Sequence, residues 1–433
     1  MIFGTDGLRA RMDSYPLTRE IIEKLSQVLK AWLPDGAEVV LGHDSRRSCA
    51  TIRDWITSAM DGLRVWDLGL VPTPAVAFET RARGAQLGIM ITASHNPAHD
   101  NGLKFFDGEG LKIRYDQAKA WSDAVLALDP RQCEGSADLV RTQPTHYRSF
   151  LEETFGDTDF SQTPVAFDLA NGAGSELVPP LLKALGIKAQ ILGATPDGDN
   201  INAGIGALHP ETLHRTVVAS GYLAGFALDG DGDRLIVVDR DGPLHGDLVL
   251  YALRKVMVAE GADIDTVVGT IMCGKGLEQS WASQGVALKR TPVGDQNVLA
   301  KLIEDDLLLG GEPSGHLLQC DLFPAGDGVL GALRLLRALT RTPDLLARAR
   351  AEVPMYPVFE NAYPVRHKPK LLTQPKTWSA MERLDAALAD QGRLIVRYSG
   401  TEPKLRVFLE APDLAPFKAG LAQLESAIAE ELA

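Results

Sequence analysis

Cysteine, aromatic residues and long apolar runs are all scarce in this chain. No C-x-x-C pair occurs among its four cysteines, which are Cys49, Cys133, Cys273 and Cys320. This argues against a disulfide framework or a cysteine metal cluster and favours a reducing compartment. No apolar run approaches the roughly 18 residues that a membrane-spanning helix needs. The start, Met1-Ile-Phe-Gly-Thr-Asp6, lacks the basic and apolar regions of a signal peptide. We therefore expect a cytoplasmic protein without a membrane segment.

Basic residues are too few for a nucleic-acid-binding protein. Lys and Arg number 44 against 57 Asp and Glu, so the formal net charge is −13. The resulting field repels nucleic acid and anionic membrane surfaces, and local donors would have to hold any anionic ligand. The chain also lacks a Walker A sequence and a Gly-x-Gly-x-x-Gly between a strand and a helix, so no nucleotide cofactor is predicted.

Strand-like and helix-like segments alternate along most of the chain. The apolar run Leu87 to Ile91 predicts a buried strand, and the pattern from Leu17 to about Trp32 predicts a helix. Such alternation is typical of α/β domains with a mostly parallel sheet, and a polar stretch from Asp129 to Gln143 suggests the end of the first one. We predict three α/β domains with mixed sheets and a smaller α+β domain, over residues 1–148, 149–246, 247–356 and 357–433.

The first motif with chemical potential follows the strand Leu87 to Ile91. A polar turn, Ser94-His95-Asn96-Pro97, ends that strand. If the next residues open a helix, backbone N–H groups gather near the Ser94 hydroxyl, which suits a serine that carries or receives a phosphoryl group. The alternative is an ordinary turn in which Ser94 caps the helix. The turn alone leaves both interpretations open.

A second motif places three carboxylates at alternate positions, Asp229, Asp231 and Asp233, with glycines between them. Three like charges this close favour a bound divalent cation, and all-oxygen ligands favour Mg²⁺ over zinc. An EF-hand is excluded because Arg234 and Arg240 stand where its Gly and Glu are required. The alternative is a solvated acidic turn, but a buried strand leads directly into the cluster.

Two more motifs offer ligands for a phosphorylated sugar. Glu312, Ser314 and His316 lie on a glycine-bounded loop and could bind vicinal hydroxyls, although a simple turn is the alternative. This loop is not a hydrolase nucleophile elbow, which requires glycines on both sides of the serine. The segment Arg397 to Arg406 combines hydroxyls, a glycine and cations between two strands, which suits a phosphate. Its alternative is a hairpin-like surface loop.

Taken together, these motifs resemble the α-D-phosphohexomutase family. The similar segments are Thr92-Ala-Ser-His-Asn-Pro97, Asp229-Gly-Asp-Gly-Asp-Arg234, Gly311-Glu-Pro-Ser-Gly-His316 and Arg397-Tyr-Ser-Gly-Thr-Glu-Pro403. They occur in the order of the four loops of that family, one in each predicted domain. Further stretches are most similar to the branch of bacterial phosphoglucosamine mutases: Phe3 to Arg9, His95 to Phe106, Val293 to Asp295 and Gly326 to Gly328. The resemblance implies three related α/β domains and a smaller C-terminal domain around a central cleft.

The resemblance also implies a role for each motif. Ser94 would be phosphorylated, and one Mg²⁺ would be held by Ser94, Asp229, Asp231 and Asp233. The phosphoryl-transfer site would be lined by Arg9, His95, Lys104 and Arg234. Sugar hydroxyls would be bound by Glu312, Ser314 and His316. The phosphate that does not react would be bound by Arg397, Ser399, Gly400 and Thr401, with Arg406 as a further cation.

The implied activity is the interconversion of glucosamine 6-phosphate and glucosamine 1-phosphate through a phosphoserine enzyme and a bisphosphorylated sugar. Its product would feed the synthesis of UDP-N-acetylglucosamine and of the cell wall. The substrate would be a hexosamine or hexose phosphate, and the enzyme a monomer or homodimer. Three positions depart from the branch: Pro313 replaces the usual Gln, Gln296 the usual Arg, and Ala10 a common Gly. The first two lie near the sugar loop and weaken the prediction of which sugar is used.

Three alternatives stay open at this stage. A phosphoglucomutase or phosphomannomutase of the same family would use the same motifs. A metal-dependent sugar-phosphate sensor would keep the ligands without turnover. A phosphatase fits less well, because the aspartate turn lacks the Thr or Val that an aspartyl-phosphate motif places after its second Asp.

Overall fold

The computed structural model describes residues 2–4, 7–129, 135–399 and 403–433. Within these ranges, no helix combines the length and apolar character required to cross a membrane. The chain divides into two compact units, one of Met1–Met272 with Leu288–Ala349 and one of Cys273–Ala287 with Arg350–Ala433. Three of the four predicted motifs therefore lie in the first unit and the fourth lies in the second.

Six strands form the first sheet. They are β1 (Leu8–Arg11), β2 (Glu38–His43), β3 (Arg64–Leu70), β4 (Leu87–Ile91), β5 (Asp100–Asp107) and β6 (Asp138–Arg141). Their order is β1-β5-β4-β2-β3-β6, in which β4, β2, β3 and β6 run parallel and β5 is antiparallel to β4 and β1. The helices of this region are α1 (Arg19–Trp32), α2 (Cys49–Thr57), α3 (Thr73–Arg83) and α4 (Tyr115–Ala127).

Strand β4 lies within this sheet and brings Ser94 to its edge. All five of its residues are buried, as expected for a strand covered on both faces. The predicted strand over Leu87 to Ile91 is thus confirmed, and the helix predicted from Leu17 begins at Arg19. The stretch from Asp129 to Gln143 is predicted to end the first domain, and its described part contains β6, an edge strand that pairs with β3. Three of the four residues of β6 are exposed, and its two apolar residues are adjacent, so no alternating apolar pattern predicts this strand.

The second sheet carries the aspartate turn. Its strands are β7 (Val165–Asp168), β8 (Ala189–Leu192), β9 (Gly225–Leu228), β10 (Leu235–Asp239) and β11 (Gly242–Pro243). They follow the order β11-β10-β9-β7-β8, with β9 parallel to β7 and antiparallel to β10. Helices α5 (Thr145–Phe155), α6 (Val178–Ala184) and α7 (Glu211–Ser220) belong to the same stretch of chain. The three aspartates occupy the connection between β9 and β10.

The third stretch of chain contains five further helices, α8 (Gly246–Ala259), α9 (Lys275–Ala282), α10 (Asp295–Glu304), α11 (Gly328–Arg341) and α12 (Leu345–Glu352). Its strands are β12 (Thr266–Thr270), β13 (Ala287–Thr291), β14 (Leu309–Gly311), β15 (Leu317–Gln319) and β16 (Phe323–Gly326), in the order β13-β12-β14-β15-β16. The segment Gly310 to His316 was predicted as a loop after a helix. It is instead the end of β14 and the turn into the antiparallel β15. Strands of three residues are too short to show a period of two.

The C-terminal part of the second unit is a three-stranded antiparallel sheet covered by helices. It consists of β17 (Val358–Pro364), α13 (Pro375–Leu388), β18 (Arg393–Tyr398), β19 (Lys404–Glu410) and α14 (Lys418–Glu431), with the strand order β17-β19-β18. Leu384, Leu405 and Leu424 are at the centre of its core. The predicted α/β class with mixed sheets and a small C-terminal α+β domain is confirmed. Cys49, Cys273 and Cys320 have free thiols, and Cys133 lies outside the described residues.

Candidate active site

The Ser94 hydroxyl faces the aspartate turn. Ser94 is fully buried, and its Oγ donates a hydrogen bond of 2.6 Å to Oδ2 of Asp229, although the two residues are 135 positions apart. No helix follows the turn, because the chain re-enters the sheet as β5, where Leu103 lies opposite Ile91. The prediction that a helix opens here is wrong, and so is its alternative, a helix cap. Ser94 instead has a left-handed backbone with φ of 53°.

The three aspartates form a buried acidic cluster. Each is at most 1% exposed, and one carboxylate oxygen from each lies within 4.8 Å of the others. Burial and the charges of Asp231 and Asp233 raise the pKa of Asp229 to about 7. In the described part of the chain, Oδ1 of Asp231 is buried and has no hydrogen-bond partner. A buried cluster of oxygens with an unused acceptor fits a hard divalent cation.

Lys104 is the cation already built into this cluster. It extends from β5, is 2% exposed, and its Nζ lies 2.7 Å from Oδ2 of Asp231 and 2.6 Å from Oδ2 of Asp233. Burial alone would raise the pKa of Asp233, but the charges of Lys104 and His316 hold that pKa well below its usual value. Lys104 therefore offsets part of the negative charge of the cluster.

The third motif contacts the second. His316 is buried, with Nδ1 3.1 Å from Oε2 of Glu312 and Nε2 3.3 Å from Oδ1 of Asp233. Burial lowers the pKa of His316, yet the neighbouring carboxylates Asp233 and Asp295 raise it to about 9 overall. Ser314 Oγ is 3.5 Å from Nδ1 of the same imidazole. The turn between β14 and β15 thus lies directly beside the acidic cluster.

Arg234, Arg9 and His95 complete the surroundings of Ser94. The backbone N–H of Arg234 donates to Oδ1 of Asp229 at 3.2 Å, and Nδ1 of His95 is 3.3 Å from the Ser94 hydroxyl. Burial together with the charges of Arg234 and Arg9 lowers the pKa of His95 to about 4. His95 is therefore neutral at pH 7. The structure brings eleven predicted residues into one compact unit: Arg9, Ser94, His95, Lys104, Asp229, Asp231, Asp233, Arg234, Glu312, Ser314 and His316.

The fourth motif belongs to the second unit and has its own geometry there. Arg397 in β18 is paired with Arg406 in β19, and the N–H of Ser399 donates to the carbonyl oxygen of Lys404 at 2.9 Å. The Nζ of Lys368 donates to the carbonyl oxygen of Ser399 at 2.6 Å. The predicted ligands Gly400 and Thr401 lie outside the described residues.

Family models match nearly the whole chain. The models of the phosphoglucomutase/phosphomannomutase α/β/α domains I, II and III match residues 1–131, 147–242 and 245–356. The model of the phosphoglucomutase/phosphomannomutase C-terminal domain matches residues 362–429. A phosphoglucosamine mutase from Cereibacter sphaeroides is 37% identical over 99% of this chain and 98% of its own length. The chain belongs to the phosphoglucosamine mutase family. It is an isomerase of the phosphohexomutase type.

Solved structures agree with this assignment. A phosphoglucomutase/phosphomannomutase family protein from Burkholderia thailandensis superposes with a TM-score of 0.81 at 25% identity, covering 99% of this chain and 97% of the other. An Aspergillus fumigatus N-acetylphosphoglucosamine mutase, solved with GlcNAc-6P and magnesium, has a TM-score of 0.68. At 16% identity over 100% of this chain and 96% of the other, that structure shows a shared fold alone.

Several residues around the mutase site were missed by sequence reasoning. Thr73, the first residue of α3, donates its hydroxyl to Oδ2 of Asp231. Asn202 donates to the carbonyl oxygen of Ser94 at 2.9 Å, and Arg46 donates to the same oxygen at 3.0 Å. Arg46 follows β2, and polar residues after the carboxyl end of a parallel strand often lie at a site. That position could have indicated Arg46, whereas no local signal indicates Asn202.

Gly230 sets the distance between the aspartate turn and Ser94. A Cβ at this position would lie 2.5 Å from the carbonyl oxygen of Ser94. We expect Gly230→Ala to displace Ser94 from Asp229 and to lower kcat by about 100-fold, because small misplacements in a transfer site are costly. Steady-state kinetics would measure this loss. Gly331→Ala in α11 is the control, since its Cβ would meet no atom closer than 3.3 Å. Equal kcat in the two variants would contradict the prediction.

Proposed function

We propose that this chain interconverts glucosamine 6-phosphate and glucosamine 1-phosphate, with Ser94 as the residue that carries the phosphoryl group. The observation that supports this best is the contact between the Ser94 hydroxyl and Asp229 inside a buried acidic cluster. The full-length similarity to phosphoglucosamine mutases supports the choice of sugar.

The proposed metal is one Mg²⁺ per chain, held by Asp229, Asp231, Asp233 and an oxygen on Ser94. Two observations support a cation at this cluster: Oδ1 of Asp231 has no hydrogen-bond partner among the described residues, and the pKa of Asp229 is raised. When bound, Mg²⁺ would neutralise negative charge on the transferring phosphoryl group.

In the proposed transfer, the bond from phosphorus to the Ser94 oxygen breaks as a sugar hydroxyl forms a new bond to phosphorus. The hydroxyl proton passes to a protein base, for which Lys104 and His95 are the two candidates, and the Ser94 oxygen takes up a proton to become a hydroxyl again. Neutral His95 lies 3.3 Å from the Ser94 hydroxyl, while Lys104 would first have to lose a proton to act as a base. Arg9 and Arg234 supply the positive charge that an incoming sugar phosphate requires.

The intermediate would be a bisphosphorylated sugar that reverses its orientation and returns its other phosphate to Ser94. Glu312, Ser314 and His316 are the proposed ligands of its hydroxyls. Arg397, Ser399, Gly400, Thr401 and Arg406 are proposed to grip whichever phosphate is not reacting. Closure around the sugar would keep water from taking the phosphoryl group.

The domain boundaries, cellular location and assembly remain part of this proposal. We propose domains over residues 1–148, 149–246, 247–356 and 357–433, and a cytoplasmic monomer or homodimer. The proposed partners are sugar phosphates, without nucleic acid or membrane lipid, which agrees with the net charge of −13.

The choice of sugar is tested by comparing substrates on the wild-type enzyme. We expect kcat/KM for glucosamine 6-phosphate to exceed the values for glucose 1-phosphate and mannose 1-phosphate by roughly tenfold or more, since hydrogen bonds to an amino group discriminate strongly. A coupled assay for each product measures this ratio. A preference for either hexose phosphate would instead identify a phosphoglucomutase or phosphomannomutase.

A further inference from the structure

A single buried guanidinium holds the whole turn that carries Ser94. Arg46 is 2% exposed. Its Nη2 donates to the carbonyl oxygens of Ser94 at 3.0 Å and Asn96 at 2.8 Å. Its Nη1 donates to the carbonyl oxygen of Asp100 at 2.8 Å and to that of Pro97. Four backbone carbonyls, from Ser94 to the first residue of β5, are thus bound to one side chain.

Arg46 is itself fixed from the other side. Its Nε lies 2.9 Å from Oδ2 of Asp44, and both side chains are fully buried. The Thr92 hydroxyl donates to the same Oδ2 at 2.7 Å and accepts a hydrogen bond of 2.8 Å from the N–H of Ser94. Asp44, Arg46 and Thr92, which we call the Arg46 clamp, therefore contact both the N–H and the carbonyl oxygen of Ser94.

The backbone of Ser94 needs such support. A left-handed conformation is strained for a non-glycine residue, and it persists only where the surroundings dictate it. This conformation is the one that turns the Ser94 hydroxyl toward Asp229. Phosphorylation would add a charge of about −1.5 to −2 next to three carboxylates, which repel it. Without a restraint on its carbonyls, the turn could relax away from the acidic cluster.

We propose that Arg46 is a positioning residue for phosphoryl transfer, which holds Ser94 in the left-handed conformation before and after Ser94 is phosphorylated. This rests on the function proposed above, in which Ser94 carries the phosphoryl group. Arg46 would act through the backbone carbonyls alone, because its side chain is fully buried. Lysine cannot replace it, because an ammonium lacks the planar fork of five donors that spans four carbonyls and a carboxylate.

The test compares Arg46→Lys with Arg334→Lys. Arg334 is a matched control, because it is 3% exposed and pairs with Glu260 and Asp321, none of which belongs to the proposed site. For Arg46→Lys we expect kcat to fall by about 100-fold while KM changes by less than about threefold, since the substrate ligands stay in place. Arg334→Lys should lose similar thermal stability and keep its kcat. Equal kcat in the two variants would overturn the proposal.

A second measurement does not depend on which sugar phosphate the enzyme converts. Dephosphorylated enzyme is mixed with a hexose 1,6-bisphosphate, and the uptake of phosphate on Ser94 is followed by intact mass. Slow uptake by Arg46→Lys but not by Arg334→Lys supports the clamp, and equal rates overturn it. Wild-type enzyme that takes up phosphate without converting glucosamine phosphates would contradict the proposed substrate alone.

Asn202→Gly covers the case in which Arg46→Lys does not fold. Asn202 has a φ of 58°, which glycine adopts without strain, and its side chain is the other donor to the Ser94 carbonyl oxygen. We expect uptake of phosphate to slow by roughly tenfold in this variant, with an unchanged unfolding temperature. Asp306→Gly, at an exposed position with φ of 52°, controls for the backbone change. Slow uptake would support the need to restrain the Ser94 carbonyl oxygen, and normal uptake would overturn the premise that this restraint, which Asn202 shares with Arg46, is required for transfer.

Discussion

The Ser94→Ala variant is expected to lose mutase activity by about 10⁴-fold or more, because the residue that accepts and returns the phosphoryl group is removed. Binding of the sugar phosphate should persist, since the proposed ligands of the sugar and phosphate are elsewhere in the chain. The free energy of unfolding should fall by only about 1–3 kcal/mol, the cost of losing a buried hydrogen bond to a carboxylate. Steady-state kinetics, calorimetric titration with glucosamine 6-phosphate and thermal unfolding measure the three quantities.

The matched control for this variant is Ser26→Ala. Ser26 is also a buried serine, but it lies in α1 and its hydroxyl donates to the backbone of its own helix. Turnover should be unchanged in that variant. Near-normal turnover in Ser94→Ala would exclude the covalent route, and loss of sugar-phosphate binding would mean that Ser94 acts as a ligand for substrate.

Local patterns were enough to predict the two elements that face each other in this site. The apolar run before Ser94 predicts a buried strand, and the alternating Asp-Gly sequence predicts a cation site. Each pattern can be recognised within about ten residues, because burial and charge repulsion act on neighbours in the chain. Their contact could not be predicted from physical chemistry alone. The hydrogen bond from Ser94 to Asp229 joins two different sheets, and only the resemblance to a known family placed those residues together.

Errors arose where pairing between distant strands determines the local structure. The local sequence after Ser94 is compatible with a helix or a strand. It forms the strand β5 because it pairs antiparallel with β4. The short strands β14 and β15 likewise form because they pair with each other, while β14 also pairs with β12 and β15 with β16. The role of Arg46 could not be predicted from local sequence either, because the carbonyl groups that it binds lie about 50 positions further along the chain.

The Lys104→Met variant tests whether bound Mg²⁺ can compensate for the lost lysine charge at the carboxylates that Lys104 contacts. The variant keeps the length and apolar stem of the side chain but leaves Asp231 and Asp233 without their buried ion pair. In buffer without divalent cations, the free energy of unfolding should fall by about 3–5 kcal/mol, because breaking a buried ion pair leaves uncompensated charge. Added Mg²⁺ should restore part of this loss by binding the folded state. Turnover should fall by about 10³-fold even with Mg²⁺, because positive charge and a possible proton donor are lost from the transfer site.

Thermal unfolding with and without Mg²⁺, followed by steady-state kinetics, measures these effects. Arg334→Met provides the control, because it removes a buried cation from an ion pair that lies outside the acidic cluster. It should lose stability that Mg²⁺ does not restore, and it should keep its turnover. If Mg²⁺ stabilised both variants equally, the cation would not bind at the three aspartates. If Lys104→Met kept normal turnover, the buried ammonium would serve the fold alone, and His95 would be left as the proposed carrier of the proton.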